Sequence, residues 1–596
     1  MLRPANVPPP LSMKAALAGF CLLLATGAFA ADPAKVLRLA SFDIETLDPQ
    51  QIDDDPSSQV ASAIFEGLYN WDYLASPAKL APVGAAALPE ITDDGTTWTM
   101  RLQPGILFTD DPAFNGKPRE LTADDIVYSM KRVLDPTLKR GGSPSVTDIV
   151  IGARAVVDAA AKGGARFDYD RPIEGLRVLD RYTVQIRVSE PNYPIIEGFI
   201  TTVAVAREVV AAAGGDIRTR TVGTGPYKLR EWLHGSRVVL EANPGYRPVH
   251  FPESSDPRDA ALVRSMQGVM LPQIGVIEIS VIEEEVTRLL QFDRGKLDYV
   301  VLTAAVANRQ IEGGKLKPEY VSRGVARYVY PEPFLFELYF NMRDPVVGGM
   351  DVPHVALRRA MSLALDLDEL VKVVYATQAM PANQLVPPRV AGHDPSLPPK
   401  PEFDPVIANA LLDKVGYAAR DAAGYRKLPD GRPLAITLTL RTGGVSRETQ
   451  TLVKKNMDAI GLHMEFRLSP FQELIKETHA GNYQMYSSGY GGSPSGYAEL
   501  SQFYSRSSPT VNTTRFSFPD YDRAYETFLR SPGGAAQIAA ASKMSAIVRV
   551  YAPSIPMIFR LENDFVQPWL KGFAPQVFDT YWKYLDIDLD KQRAAR

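Results

Sequence analysis

The side chains that could carry out a reaction are few in this 596-residue sequence, and they do not converge. Residues 491–496 come close to the glycine-flanked nucleophile elbow of hydrolases, but Pro494 stands where the nucleophilic serine belongs. Neither metal-ligand spacing nor a His-Glu-x-x-His motif occurs among the histidines, which are His234, His250, His354, His393, His463 and His479. Since an enzyme needs a nucleophile, a base and a stabilising group together, we predict that the chain is not an enzyme and has no cofactor. A secreted hydrolase is the alternative.

Asp53, Asp54 and Asp55 form a second group of possible ligands. Carboxylates bind hard cations such as calcium, but calcium loops space their ligands and contain a glycine at the turn. This run has neither feature, so it indicates a solvated loop before a helix that starts near Ser57. We therefore predict no metal site.

The composition is that of a folded, soluble protein, with 45% hydrophobic and 22% charged residues. The length is enough for several domains. The formal net charge is −4, which argues against a nucleic-acid partner or an anionic membrane surface, because both require basic patches.

The first thirty residues predict a cleavable secretory signal. Lys14 precedes the apolar run 15–26, and the small-x-small pattern of residues 28–30 is typical of a cleavage site. Translation could start at Met1 or at Met13. The apolar run is short for a membrane span, and a retained membrane anchor is the alternative.

Cys21 is the only cysteine and lies inside this apolar run. A lipoprotein needs a small residue before its modified cysteine, whereas Phe20 stands there. We predict that the protein is not a lipoprotein and that the mature chain has no thiol, disulfide or cysteine metal site.

The predicted elements alternate between helices and strands, as in α/β proteins. Within residues 93–136, the alternation of residues 97–102 predicts a half-buried strand, and residues 106–108 are predicted as its hairpin partner. Thr122 and Asp125 have the spacing of a helix N-cap and the acid three residues later. This stretch therefore predicts a hairpin that leads into a capped helix.

Several motifs resemble one protein family when they are taken in chain order. Asp-Asp-Gly-x-x-Trp-Thr-x-x-Leu-x-Pro-Gly-Ile-x-Phe occupies residues 93–108, and Leu-Thr-Ala-Asp-Asp-Ile-Val-Tyr-Ser-Met-Lys-Arg occupies residues 121–132. Gly-Thr-Gly-Pro-Tyr-Lys-Leu follows at residues 223–229, and Leu-Leu-x-x-x-Gly-Tyr at residues 411–417. Together they resemble the large periplasmic solute-binding proteins of peptide-type ABC importers, the group of oligopeptide, dipeptide and nickel binders.

This resemblance implies an α/β, two-lobed periplasmic-binding-protein fold of the large, cluster C type, with an extra subdomain inserted in lobe one. After a signal peptide of residues 1–30, we expect a discontinuous lobe one. The implied ranges are 31–62, 221–329 and 551–596 for lobe one, 63–220 for the inserted subdomain, and 330–550 for lobe two.

The resemblance also implies a ligand cleft between the lobes. The residues that it places there are Asp53, Asp54, Asp55, Ser145, Asn341, Ser488, Tyr490, Gly491, Ser493 and Tyr497. Ser145 falls where peptide binders of the family tend to carry an aromatic side chain. Tyr490 could equally be a core aromatic at the end of a strand.

Peptide binders of the family hold the terminal amine with an aspartate, four residues after the glycine of a Gly-Trp segment. Here Gly489 is followed by Tyr490, and Ser493 stands at the position of the aspartate. A neutral serine cannot make a charge-assisted hydrogen bond to an ammonium group. The resemblance therefore implies weak or no binding of unmodified di- to pentapeptides.

The function that follows from the resemblance is transport. We expect a monomer in the periplasm that captures a peptide-like or other polar solute. We expect it to deliver this solute to an inner-membrane ABC permease and its ATPase subunits. A periplasmic chaperone or sensor that uses the same fold is a further alternative.

Overall fold

Two long antiparallel strands, Ala326–Phe340 and Ser554–Val566, organise the fold. They form the centre of a seven-stranded sheet in a computed structural model that describes residues 31–139, 141–163, 166–312, 315–399, 403–443, 446–507, 509–578 and 581–595. The predicted signal segment, including Cys21, lies outside these residues. The sheet order is Tyr299–Val301, Ser554–Val566, Ala326–Phe340, Met485–Gly491, Ala435–Arg441 and His463–Ser469, with Ala379–Pro381 also paired to Ser554–Val566.

The two long strands connect two lobes. At one end, Tyr299–Val301 pairs with residues 564–566, and at the other end Met485–Gly491 pairs with residues 334–340. We call Ala326–Phe340 and Ser554–Val566 the hinge strands. Their register shifts between the pairs Pro331–Leu561 and Leu335–Phe559, so the first strand bulges between the lobes.

Lobe one contains two further four-stranded sheets. The first has the order Asp32–Ser41, Ile274–Val281, Arg237–Ala242 and Tyr227–Leu233. The second lies in the inserted segment and has the order Glu90–Thr92, Thr97–Arg101, Thr183–Arg187 and Leu176–Asp180. Short pairs join Tyr69–Trp71 to Leu80–Pro82, Val249–His250 to Met270–Leu271, Ile311–Glu312 to Lys315–Leu316, and Leu570–Lys571 to Asp586–Ile587. Both sheets contribute to one hydrophobic core, for example through Leu37 and Trp98.

The core of lobe two covers both faces of its part of the long sheet. Side chains of a strand point alternately to opposite faces. Leu338 and Phe340 pack on one face, whereas Leu335 and Tyr339 pack on the other, in separate hydrophobic clusters. Helices on both faces therefore bury this sheet, as in other α/β proteins.

The helices connect these strands. Their bounds are Asp55–Ile64, Ala123–Leu134, Pro144–Ile149, Ala153–Gly163, Tyr193–Ile200, Arg207–Ala212, Ala260–Met266, Glu285–Asp293, Ala304–Asn308, Pro318–Ser322, Val352–Ala364, Leu367–Glu369, Pro405–Lys414, Ser446–Asp458, Phe471–Ala480, Tyr497–Ser501, Pro519–Arg530, Gly534–Tyr551 and Leu589–Ala594. Within the described ranges, none of the helices has the length and apolar character that a membrane span requires.

A buried ionic cluster ties together distant segments of lobe one. The Glu66 carboxylate accepts hydrogen bonds from the Arg247 guanidinium at 2.7 Å, the Lys583 ammonium at 2.8 Å and the Tyr246 hydroxyl at 2.9 Å. Burial opposes the ionisation of Glu66, but Arg247 and Lys583 outweigh it and lower the pKa of Glu66 to about 2. Three remote segments thus meet at one charge.

The predicted hairpin and capped helix have different outcomes. The capping box of Thr122 and Asp125 is confirmed, and so is the strand Thr97–Arg101. The prediction that residues 106–108 are its partner is wrong, because the strand pairs with Glu90–Thr92 and Thr183–Arg187. Residues 106–108 face residues 119–121 instead: Leu107 forms an isolated bridge with Glu120, and the Phe108 amide donates to the Arg119 carbonyl at 2.9 Å.

The predicted domain boundaries stay predictions, and two of them fall at the hinge strands. The boundary between residues 329 and 330 lies inside Ala326–Phe340. The boundary between residues 550 and 551 lies just before Ser554–Val566. Ser554–Val566 pairs with Tyr299–Val301 of lobe one and with Ala379–Pro381 of lobe two, and Ala326–Phe340 runs beside it along most of its length, so a single cut does not separate the lobes at these strands.

Candidate ligand-binding cleft

The two lobes touch at the rims of the cleft between them. The Ser145 hydroxyl of the inserted segment lies 3.4 Å from the Tyr497 hydroxyl of lobe two. On another side, the Ala78 amide donates to the Arg389 carbonyl at 3.0 Å, and the Arg389 guanidinium donates to the Pro575 carbonyl at 2.7 Å. The structure therefore shows the lobes in contact, and it brings the predicted residues Ser145 and Tyr497 together.

An ion pair marks the same rim. Glu190 of lobe one and Arg530 of lobe two approach to 3.9 Å, and both side chains are more than half exposed. The helices Tyr193–Ile200 and Pro519–Arg530 are in contact behind them. Exposed pairs of this kind contribute little to stability, so this contact can break easily when the lobes part.

The strand Met485–Gly491 lies beside the hinge strand and carries three predicted residues. Ser488 is paired with Glu337, and Tyr490 with Leu335. Gly491 allows an unusually close approach, because an added Cβ would lie 2.1 Å from the Pro333 carbonyl oxygen. The next amide, that of Gly492, donates to the same carbonyl at 2.7 Å. Gly491 is thus fixed by backbone packing against the bulge.

Tyr490 packs against the aromatic cluster of lobe two. Its ring meets that of Tyr339 edge to face, with 5.9 Å between centroids. Burial raises the pKa of the Tyr490 hydroxyl. The half-buried side chain therefore has a packing role whether or not it also contacts a solute.

Ser493 lies in the loop that follows this strand. Its hydroxyl is 3.4 Å from the Ser495 hydroxyl and also 3.4 Å from the Ser495 amide. Both contacts are at the long end of the hydrogen-bond range, so they hold the Ser493 side chain weakly. Ser493 is half-buried and carries no charge, and its place as the counterpart of an amine anchor stays a prediction.

The three adjacent aspartates have different environments. Asp54 caps the helix Asp55–Ile64 and accepts from the Ser57 amide at 2.7 Å, and Asp55 lies in the first turn. Asp53 lies 2.8 Å from the Lys139 ammonium, which also reaches Glu45 at 3.3 Å. The acids at positions 45, 53 and 54 could together surround a cation. The Lys139 ammonium already contacts two of them.

A buried arginine holds the loop that leads to these aspartates. The Arg132 guanidinium donates to the Asp48 carboxylate at 2.6 Å and to the Gln50 side-chain oxygen at 3.1 Å. Both Arg132 and Asp48 are almost fully buried. The capped helix Ala123–Leu134 thus positions the loop through one buried ion pair.

Asn341 lies away from the contact between the lobes. It follows the hinge strand at the far end of lobe two, where its side-chain amide donates to the carbonyls of Gly481 and Tyr483, each at 3.0 Å. The residue is 6% exposed, and it borders an open depression that Arg343 and Arg515 also line. The structure therefore does not bring Asn341 together with the other predicted site residues.

Two buried carboxyl groups next to Tyr490 escaped the sequence analysis. Glu337, on the hinge strand, accepts from the Tyr339 hydroxyl at 2.6 Å and the Ser554 hydroxyl at 2.7 Å. Burial is the largest influence on Glu337 and raises its pKa to about 7, although the two hydroxyl donors act against this shift. Glu499 lies in the short helix Tyr497–Ser501, and it and Glu337 are each 1% exposed.

Glu499 lacks the partners that Glu337 has. Neither of its carboxyl oxygens has a hydrogen-bond partner among the described residues, and the same holds for the side-chain oxygen of Gln502. Burial raises the pKa of Glu499 well above its usual range, and the nearby Glu337 adds to the shift. In the sequence, Glu499 could be recognised only as an acidic residue within a segment that resembles the family.

Acidic groups also line the hinge strands. The Tyr330 hydroxyl donates to the Asp564 carboxyl at 2.8 Å, and burial raises the pKa of Asp564 to about 7. Burial, followed by the neighbouring Glu332, raises the pKa of Glu562 to about 9. Glu332 itself pairs with Arg560 at 2.7 Å. The hinge therefore concentrates groups that take up protons near neutral pH.

Comparisons with known proteins agree with this architecture. The family model described as "Bacterial extracellular solute-binding proteins, family 5 Middle" matches residues 79–510. The periplasmic oligopeptide-binding protein OppA of Escherichia coli is 24% identical over 585 residues, which cover 94% of each chain. HbpA2 from Haemophilus parasuis superposes with a TM-score of 0.72 at 18% identity, over 93% of this chain and 99% of that one. NikA from Brucella suis, in complex with Fe(III)-EDTA, superposes with a TM-score of 0.69 at 18% identity, over 94% of this chain and 100% of that one. The predicted two-lobed α/β fold is confirmed.

Proposed function

Because the chain belongs to the bacterial extracellular solute-binding proteins of family 5, we propose that it captures a polar solute between its lobes for an ABC importer. In this proposal the solute is delivered to an inner-membrane permease and its ATPase subunits. The relative OppA is named for oligopeptides, which makes a peptide-like solute the first class to test. The protein acts in the periplasm after its signal segment, residues 1–30, has been removed.

The observation that carries the proposal is the pair of hinge strands. They are the central strands of one sheet, and they bulge at the point where they pass from one lobe to the other. The rims, by contrast, meet through a 3.4 Å hydroxyl contact and an exposed ion pair. A solute that binds both lobes favours the closed state in proportion to its preference for that state.

Native mass spectrometry of protein purified from its host tests the capture of a solute. The expected result is a non-covalent small-molecule adduct that disappears when the protein is unfolded and refolded. Deletion of the gene should also abolish uptake of that molecule. Binding of unfolded polypeptides in place of a small molecule would indicate a chaperone and would contradict the proposal.

Closure is tested by fluorescence energy transfer between labels on Glu190→Cys and Arg530→Cys. These exposed positions face each other across the rim, and no native cysteine follows Cys21. The refolded protein should show low transfer efficiency, and addition of the released small-molecule fraction should raise it. A control pair within lobe two, Lys476→Cys and Arg530→Cys, should not respond. An unchanged signal in the first pair would contradict closure.

A further inference from the structure

The short helix Tyr497–Ser501 presents hydrogen-bond acceptors that the protein itself leaves unused. Both carboxyl oxygens of Glu499 and the side-chain oxygen of Gln502 are buried, and none has a partner among the residues that the structure describes. The two residues are three positions apart, so they lie on one face of the helical turn. Buried polar groups are almost always paired, which makes three unpaired acceptors in one place an observation that needs a cause.

Three nearby hydroxyl groups donate to other acceptors. Tyr339 and Ser554 donate to Glu337, and Tyr521 donates to the Leu500 carbonyl at 2.7 Å. No Lys, Arg or His within the described ranges forms an ion pair with Glu337 or Glu499. The space between the helix and the sheet is therefore rich in acceptors and contains no cation of its own.

We propose that Glu499 and Gln502 form a subsite for an alkylammonium group of the solute. An ammonium group has three N–H donors, which equals the number of unpaired acceptors, and its charge compensates the carboxylate. A water molecule could donate only two hydrogen bonds and would supply no charge. The inference rests on the proposed function, and it names the chemical class that the cleft selects.

The location of this subsite is next to the closing rim. Tyr497 begins the helix that carries Glu499, and its hydroxyl is the group that meets Ser145 of the other lobe. That contact is 3.4 Å long and therefore weak, so Tyr497 is released when the lobes part. An ammonium group can then approach the helix from the open cleft and be enclosed on closure.

The proposal changes what Ser493 implies. The expectation of weak binding by free-amine peptides depended on the neutral side chain at position 493 alone. Glu499 supplies a carboxyl group six residues later, on the same side of the cleft as Tyr497. Two sources share the ammonium chemistry, namely the amino terminus of a peptide and an alkylamine, and the probes below distinguish them.

Isothermal titration calorimetry on the full mature chain, unfolded and refolded to remove solute, tests the subsite. The probes are trialanine, N-acetyltrialanine, 1,4-diaminobutane and the solute that co-purifies from the host. We expect trialanine or 1,4-diaminobutane to bind and the acetylated peptide to bind far more weakly. Glu499→Gln should weaken the binding of the ammonium probe roughly 10- to 100-fold, because a neutral amide replaces a charged acceptor. The exposed Glu473→Gln is the control and should bind like the wild type.

The pH dependence separates this role from a merely structural one. A carboxyl group that is protonated in the free protein must release its proton when it pairs with an ammonium group. Wild-type affinity should therefore rise with pH by up to about tenfold per unit, whereas Glu499→Gln should show a flat profile. Glu337 is the other acid that faces Glu499, and Tyr490 and Tyr521 face the same space. Glu337→Gln is therefore measured in parallel, and its affinity should still rise with pH.

Two results would overturn the subsite and leave the proposed function standing. One is a co-purified solute that carries no cationic nitrogen. The other is an ammonium probe or solute that binds Glu499→Gln as tightly as it binds the wild type. If instead no small molecule co-purifies with the wild-type protein, the proposed function itself fails, and the two failures are distinguishable.

Discussion

Glu337→Gln should reduce the pH dependence of stability, because Glu337 is a buried carboxyl group whose pKa is raised to about 7. An unfolded glutamate titrates near 4.5. A group with a raised folded-state pKa contributes stability that is fully present below pH 4.5 and is lost as the pH rises through about 7. The substitution keeps the size of the side chain, and a carboxamide can still pair with both the Tyr339 and Ser554 hydroxyls.

The magnitude follows from the two pKa values. Each unit of difference corresponds to 1.36 kcal/mol, so Glu337 removes about 3 kcal/mol from the free energy of unfolding between pH 4 and pH 8. The glutamine of the variant does not titrate, so this loss is absent. The free energy of unfolding of Glu337→Gln, relative to that of the wild type, should therefore rise by about 3 kcal/mol from pH 4 to pH 8. Asp564 and Glu562 titrate in both proteins, so their contributions cancel in this difference.

Urea unfolding followed by circular dichroism at pH values from 4 to 8 measures this difference. The control is Glu473→Gln, whose side chain is 55% exposed and should shift the curve by less than about 0.5 kcal/mol. Parallel wild-type and Glu337→Gln profiles would refute the reasoning, because they would mean that Glu337 ionises as readily in the folded chain as in the unfolded one.

Two further substitutions test the positioning of the cleft. Gly491→Ala should lower stability by roughly 1–3 kcal/mol, since its Cβ would meet the Pro333 carbonyl oxygen, whereas Gly198→Ala, with no atom within 4 Å of the added carbon, should be neutral or stabilising in thermal unfolding. Equal melting temperatures for the two variants would contradict the close approach. Arg132→Met should cost about 3–5 kcal/mol, because it removes the cationic partner of the buried Asp48 carboxylate; the double variant with Asp48→Asn should recover part of this loss in urea unfolding. An additive double variant would argue against the pair.

The capped helix was predictable because its signal is local. Thr122 and Asp125 are three residues apart, and the capping hydrogen bonds between them stay within the first turn of the helix. The partner of the strand Thr97–Arg101 was not predictable in the same way. Thr183–Arg187, one of the two strands that flank it, is more than eighty residues later, and no nearby residue announces that pairing.

The hinge and the acidic subsite depend on contacts that a sequence does not display. Pro331 and Pro333 suggest a break, yet the hinge strand continues on both sides of them, since the bulge takes up the residues that cannot pair regularly. Glu499 occupies a five-residue helix with no motif of its own. Its significance comes from the burial and the missing donors around it, both of which arise only when the helix packs on the sheet.

A buried acid without a partner gives a reason why closure should depend on solute. An ionised carboxyl group that is enclosed without a cation costs several kcal/mol, and a protonated one leaves acceptors unpaired. Either cost counts against the closed protein when it is empty. On the proposed subsite, an ammonium group removes this cost at the moment of enclosure, so its binding energy favours the closed state specifically.

A ligand can shift the equilibrium between two states only by the difference in its affinity for them. Placing the unpaired acceptors of Glu499 and Gln502 beside the rim residue Tyr497 creates such a difference. The same acceptors in the interior of lobe two, far from the rim, would cost stability in the open and closed states alike and would favour neither.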